Sequence, residues 1–345
     1  MKALVLTGPK EFDLQDLPSP TFGAQDVLVR VMACGICGSD VHGMDGSTGR
    51  RRPPIVMGHE AAGVIEVAGT DVASFAVGDR VTFDSTIYNP ESFFSRRGQV
   101  NLCDDRRVLG VSCEDYRQHG AFAELVSVPS HILYRLPAGM SFEQAAMVEP
   151  VSVAVHARRI TALEDGDAAV VFGAGLIGLM TLQVLKQEKL RLLAVVDVDD
   201  ERLELARELG AGHTFNSKTE DVPAVLRALT SGRGADVAFE AVGIEATVRA
   251  AVHTVRKGGS VTLIGNLASD VSLPLQAVVT RQIRLQGSCA SSGEYPECLQ
   301  LIASGQVNVD RFISATAPLE DGALWFDRLH RREAGLMKVV LKPNP

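Results

Sequence analysis

The sequence predicts an α/β chain of two domains, a β-barrel-like unit of short strands followed by a doubly wound parallel sheet. Three observations carry this. Up to about residue 140, short apolar or alternating runs are separated by Gly, Pro and Asp turns. From about Ser141 the apolar period becomes helical and then alternates between strand and helix. Between one apolar run and the next helical one stands a glycine-rich turn, Gly173-Ala174-Gly175-Leu176-Ile177-Gly178. The expected boundaries are 1–150 for the first domain and 151–288 for the second, with 289–345 returning to the first.

In the first domain, strands are expected at 3–6, 27–32, 61–68, 80–83, 121–126 and 132–136. Pro18, Pro20, Pro53 and Pro54 fall outside these runs, as ladder hydrogen bonding requires. Residues 142–158 read mainly as helix, with a new turn or kink at Pro150. The second domain alternates strand 168–172, helix 179–186, strand 192–196, helices 201–209 and 222–229, strand 237–241, helix 246–255, and strands 261–264 and 283–286. A six-stranded parallel sheet fits this order. A helix at 296–303 and a strand at 336–341 end the chain.

The 345 residues suit two domains, and 46% hydrophobic with 22% charged residues is ordinary for a globular chain. A net charge of −8 argues against a protein that grips nucleic acid through phosphates. The tight basic run Arg50-Arg51-Arg52 reads as one solvated loop. No signal peptide or membrane-spanning run is evident, so a cytoplasmic protein is expected, with six cysteines reduced or ligating rather than bridged.

The chemistry concentrates between Cys34 and Glu60. Gly35-Ile36-Cys37-Gly38-Ser39-Asp40-Val41-His42 is followed by Met57-Gly58-His59-Glu60. The thiolate of Cys37, the imidazole of His59 and the carboxylate of Glu60 can close on one Zn²⁺ and leave a position open for substrate. Such an ion lowers the pKa of a bound water from about 15.7 to about 7, and an alcohol oxygen should gain similarly. Ser39 and His42 are spaced to carry the hydroxyl proton outward, and Asp40 to orient an imidazole. Two other readings stay open: Cys37 as a core thiol, and Cys34 with Cys37 as a redox pair. Glu149, in the apolar Met147-Val148-Glu149-Pro150, is the candidate for completing the metal site, because burying a carboxylate is costly unless it is paired or ligating.

The glycine-rich turn follows a strand and opens a helix, and Asp197 ends the next strand, which is the context of a dinucleotide fingerprint. Gly173 permits the turn, Gly175 lets the backbone approach a pyrophosphate, and Gly178 lets helix and strand pack closely. The pyrophosphate would then meet the helix start at Leu176 and Ile177. Asp197 would bind the adenosine ribose and repel a 2′-phosphate, favouring NAD over NADP.

Together these residues resemble the zinc-dependent medium-chain alcohol dehydrogenases, most closely their sorbitol or polyol dehydrogenase branch. The likeness spans Gly35 to His42, Gly58-His59-Glu60, Gly78-Asp79-Arg80-Val81, Glu149-Pro150, Gly173 to Gly178 and Lys338-Val339-Val340-Leu341. It implies a GroES-like catalytic domain, a Rossmann NAD-binding domain, and a cleft between them holding nicotinamide and zinc. It implies that Cys37 and His59 ligate the zinc and that Glu60 and Glu149 fill the two carboxylate positions. By the same resemblance Ser39 receives the substrate proton, His42 lies beyond it, and Lys338 sits near the cofactor pyrophosphate. A homodimer or homotetramer oxidising a small-molecule polyol is implied, with no nucleic-acid or membrane partner. Two departures stand out. Where many relatives carry a structural zinc lobe, this chain has Asn89, Ser92 and Ser95 with only Cys103, so a single zinc is expected and the lobe should be held by packing of Ile87, Tyr88, Phe93 and Phe94. Around Cys289-Ala290-Ser291 the residues are small, which suggests a different or larger polyol. The alternatives are a threonine-type amino-alcohol dehydrogenase and a catalytically silent NAD-binding relative.

Overall fold

The computed structural model describes residues 1–344, which form two compact units. The first comprises Met1–Glu149 and the chain from Tyr295 onward; the second is Pro150–Glu294. The return to the first unit therefore comes at Tyr295 and not at 289. Glu294 is held in the second unit by His156 and Arg159, at 2.9 and 3.1 Å.

The first unit is built on a seven-stranded sheet. Its central strand, Asp26–Gly35, pairs antiparallel with Glu60–Ala68 on one side and with Lys338–Lys342 on the other, and Leu125–Pro129 pairs with its first half. Val27, Val29, Val31, Val81, Phe83 and Val339 are fully buried in one core. The strand expected at 121–126 lies at Leu125–Pro129, and 121–124 is irregular apart from a bridge between Ala3 and Ala123. Besides several two-residue strands, two longer strands went unread. Glu11–Asp16 is an edge strand whose charged residues masked the alternation of Phe12 and Leu14, and Ile313–Pro318 is made of small residues without a β-branched run.

The second unit is a six-stranded, wholly parallel sheet ordered 213–216, 192–197, 168–172, 235–240, 255–263, 284–287. Ala168–Phe172 is buried throughout, as a strand covered on both faces must be. The sixth strand, His213–Asn216, is the one the sequence did not reveal individually. It is short, polar and at the sheet edge, so it lacks the apolar run that marks the others.

The expected helix at 142–158 is two helices, Phe142–Ala146 and Val148–Ile160, with the break at Met147. Pro150 marks a new turn, as expected. It lies in the first turn of the second helix, where its missing N–H would have had no intrahelical partner.

Candidate metal and dinucleotide sites

Register sets the metal site. Gly35, which ends the central strand, lies opposite Glu60, which begins the next. A Cβ at Gly35 would stand 2.3 Å from Glu60 Oε2, so only glycine leaves room for that carboxylate. Gly58 has φ +95, and a Cβ there would meet Cys34 Sγ at 2.8 Å and the Phe122 backbone nitrogen at 2.9 Å. This turn delivers His59 and Glu60 to the site.

After Gly35 the chain runs through Ile36 to Cys37, which caps the short helix Gly38–Gly43. Cys37 Sγ accepts hydrogen bonds from the backbone nitrogen of Ser39 at 3.4 Å and from Ser39 Oγ at 3.3 Å. Asp40 Oδ2 in turn accepts from the Cys37 nitrogen at 3.4 Å, closing a capping box. Ser39 and His42 are three residues apart on this helix, hence on one face, and both are exposed.

The ligand atoms of Cys37, His59 and Glu60 all lie within 4.8 Å of one another, the one such group found among the described residues. Burial, then the charge of Glu60, pushes the Cys37 thiol up to about 12. Burial likewise pushes Glu149 up to about 8, with His59 opposing and Glu60 and Cys37 adding to the rise. Glu149 stands just outside the three-residue group and accepts from Ser85 Oγ at 3.3 Å. Cys37 and Glu149 thus both resist ionising beside the Glu60 carboxylate, a crowding that a cation resolves. His59 Nδ1 is buried without a hydrogen-bond partner, 3.5 Å from Asp40 Oδ1. One sulfur, one imidazole and carboxylates fit Zn²⁺.

Other expected residues have partners the sequence did not disclose. Cys34 is a fully buried strand residue with a free thiol, its pKa raised by burial, so the redox pairing with Cys37 is set aside. Lys338, expected beside the pyrophosphate, is 1% exposed; its ammonium donates to Glu60 and, at 2.9 Å, to the Ile36 carbonyl. Burial opposes this charge, yet the Glu60 carboxylate raises the Lys338 pKa above its ordinary value. Nor is Arg51 part of a solvated loop. It is 3% exposed and paired with Asp40 at 2.8 Å, which composition could not reveal because its neighbours Arg50 and Arg52 are surface residues in sequence character.

In the lobe at 89–103, hydrogen bonds stand beside the expected aromatic packing. Cys103 Sγ accepts from the Asn89 nitrogen at 3.4 Å, and Ser92 Oγ donates to Ser95 Oγ at 2.8 Å. Phe93 is 59% exposed and meets Phe94 edge-on and the Arg97 guanidinium face-on. Ile87 and Tyr88 do pack against the barrel core.

In the second unit the glycine-rich turn has the form its sequence required. Gly173 has φ +99, and a Cβ on Gly178 would overlap the Gly173 carbonyl at 1.7 Å. A Cβ on Gly175 would meet nothing, so the backbone faces open space at the start of helix Leu176–Leu185. Leu176 and Ile177 open that helix, with no side chain capping its free N–H groups. Asp197 ends its strand, accepting from Ala174 N at 2.5 Å, Val198 N at 2.7 Å and Asp199 N at 3.1 Å.

Residues 23–138 match the model of the alcohol dehydrogenase GroES-like domain, and residues 177–304 that of the zinc-binding dehydrogenase domain. The chain is 32% identical over 349 residues to a sorbitol dehydrogenase of Bacillus subtilis (strain 168), covering 100% of this chain and 98% of that one. It is 34% identical over 351 residues to a probable D-xylulose reductase A of Emericella nidulans, covering 99% and 96%. Among solved structures, alcohol dehydrogenase TADH from Thermus sp. ATN1 superposes with a TM-score of 0.91 at 31% identity, covering 99% of both chains.

Proposed function

Because the chain belongs to the zinc-dependent medium-chain alcohol dehydrogenase family, and so is an oxidoreductase acting on CH–OH groups, we propose that it oxidises a secondary hydroxyl of a sugar alcohol to the ketose with NAD, and reduces the ketose in reverse. The observation that carries this is the buried convergence of Cys37, His59 and Glu60, whose ligand atoms all lie within 4.8 Å of one another. The polyol class is supported by relatives named for sorbitol and xylulose.

Cys37, His59 and Glu60, with Glu149 at the edge of the group, would hold the ion. Bound zinc supplies Lewis-acid stabilisation of an alcohol oxygen, and NAD supplies the hydride acceptor. Asp40 faces His59 Nδ1 and fixes the ring's direction. Lys338 pairs with Glu60 and offsets its charge in the buried site. Ser39 Oγ takes the hydroxyl proton, and His42, on the same exposed helix face, passes it toward solvent. In the second unit, Gly173, Gly175 and Gly178 with the N–H groups of Leu176 and Ile177 receive the pyrophosphate.

NAD is favoured over NADP by Asp197, with Asp199 and Asp200 beside it, since a 2′-phosphate would meet concentrated negative charge. A single zinc per chain follows from the lobe chemistry, because Cys103 alone cannot complete a tetrahedral site. A homodimer or homotetramer in the cytoplasm completes the proposal. No helix among the described residues is long and apolar enough to cross a membrane.

The test is a panel of polyols and threonine with NAD at alkaline pH, following reduced nicotinamide absorbance. Polyol turnover that stops on chelation supports the reading. Threonine turnover without polyol turnover replaces it with the amino-alcohol one.

A further inference from the structure

Arg51 is the residue that neither the sequence patterns nor the mechanism above absorbs. Its side chain is 4% exposed and that of Asp40 is 0% exposed, an ion pair almost wholly removed from water. Nε and Nη2 both donate to Asp40 Oδ1, at 3.1 and 2.8 Å, and Nη1 donates to the Arg50 carbonyl at 3.1 Å. Nη2 has a second acceptor, Ser39 Oγ, at 3.2 Å. The fold makes room for this arrangement. A Cβ on Gly43, at the end of the short helix, would stand 2.8 Å from Arg51 Cγ.

One guanidinium therefore touches both halves of the reaction machinery. Asp40 Oδ1, which it grips, is the atom 3.5 Å from His59 Nδ1. Ser39 Oγ, which it also grips, is the hydroxyl read above as the first proton acceptor. A serine hydroxyl has one hydrogen to give and two lone pairs. Here the hydrogen goes to Cys37 Sγ at 3.3 Å and one lone pair is taken by Arg51, which leaves one lone pair for an incoming proton. With its oxygen anchored, only the hydroxyl hydrogen has to rotate.

We propose that Arg51 is a positioning residue for proton transfer: its bridge from Asp40 to Ser39 fixes Ser39 Oγ so that one lone pair faces the substrate hydroxyl. In the step, the Ser39 O–H bond breaks as its proton passes to His42 and on toward solvent, and an H–Oγ bond forms as the O–H bond of the alcohol breaks, so Ser39 ends neutral. The positive guanidinium on Oγ favours this exchange by stabilising negative charge on the oxygen as its own hydrogen leaves. A lysine cannot copy the bridge, because a point charge lacks the planar fork that serves two acceptors at once.

The inference rests on the reading of Ser39 as the proton-receiving hydroxyl, and the experiment separates the two. R51Q, R51K, S39A and the double variant S39A/R51Q are compared in the full chain for zinc content, for kcat and KM on the best polyol, and, after cobalt replacement, for the thiolate-to-metal absorption band. The expected result is that R51Q keeps its zinc and KM but loses kcat by at least about tenfold, the scale of one charge-assisted hydrogen bond. In the S39A background the same change should cost nothing further. R51K should recover part of the loss. The cobalt band should shift in R51Q and in S39A, because both disturb the hydrogen bond onto Cys37, with no added shift in the double variant.

Wild-type kcat and an unmoved band in R51Q overturn the proposal. So does an equal loss of kcat in both backgrounds, or activity that falls only in proportion to lost zinc. If R51Q does not fold, R51K carries the same comparisons. If the parent turns over no polyol, the functional reading fails while the cobalt band still decides the role of Arg51.

Discussion

Glu60 folds its carboxylate over Gly35, the residue opposite it in the sheet, so closely that a Cβ on Gly35 would stand 2.3 Å from Oε2. The metal site is thus built into strand pairing and not hung on a loop. In G35A the added methyl must displace Glu60 from its Lys338 partner. We expect zinc occupancy to fall by at least about tenfold, the scale attached to losing a group that orients a ligand. Metal analysis after dialysis checks this, and full occupancy would contradict it.

Replacing Cys37 by Ala removes the only thiolate of the group. The expected outcome is loss of bound metal and a fall in turnover of at least about 10³-fold, with the chain still folded. Retained turnover would remove the zinc mechanism. Metal analysis of the unmodified protein should give about one zinc per chain, and two tightly held ions would contradict the reading of the lobe at Cys103.

Lys338 is the buried cation that balances Glu60. K338M leaves a carboxylate in the core without its partner, and breaking a buried pair costs about 3–5 kcal/mol. Urea unfolding should show a loss of that order, and K338M/E60Q should restore part of it.

The pH dependence follows from Glu149 and Cys37. In the metal-free protein Glu149 is raised from 4.5 to about 8 and Cys37 from 9.0 to about 12, so the folded state holds both protons more tightly than the unfolded chain. Their contribution to stability is present below the unfolded values and is lost as pH rises, between 4.5 and about 8 for Glu149 and between 9.0 and about 12 for Cys37. Zinc takes the place of these protons, so the gap in melting temperature between zinc-loaded and metal-free protein should widen from about pH 5 to about pH 9. A constant gap would contradict the assignment.

Asp197 governs the choice of cofactor by charge. D197A should raise the ratio of kcat/KM for NADP over NAD by at least about tenfold, equivalent to about 1.4 kcal/mol. Because Asp197 also accepts from the backbone of Ala174, some loss with NAD is expected in the same variant. An unchanged ratio would place discrimination elsewhere.

What the sequence disclosed was governed by local chemistry. The glycine-rich turn was legible because each glycine answers a backbone need at its own position, and Cys37, His59 and Glu60 because ligand types at close spacing constrain one another. Arg51 was misread, and the pairing of Lys338 went unseen, because both depend on partners the sequence does not place beside them, Asp40 and Ser39 for one and Glu60 for the other. The strands His213–Asn216 and Ile313–Pro318 were invisible for a similar reason, since pairing and not composition makes them strands.

The pairing of Lys338 with Glu60 joins positions 278 residues apart, and the strand that carries Lys338 completes the central sheet of the first unit. On the ribosome, the nucleotide-binding unit is therefore fully synthesised before the last strand of the barrel exists. The ion can be captured in its finished surroundings only after Lys338 and its strand have been made, which places metal loading after the synthesis of the nucleotide-binding unit.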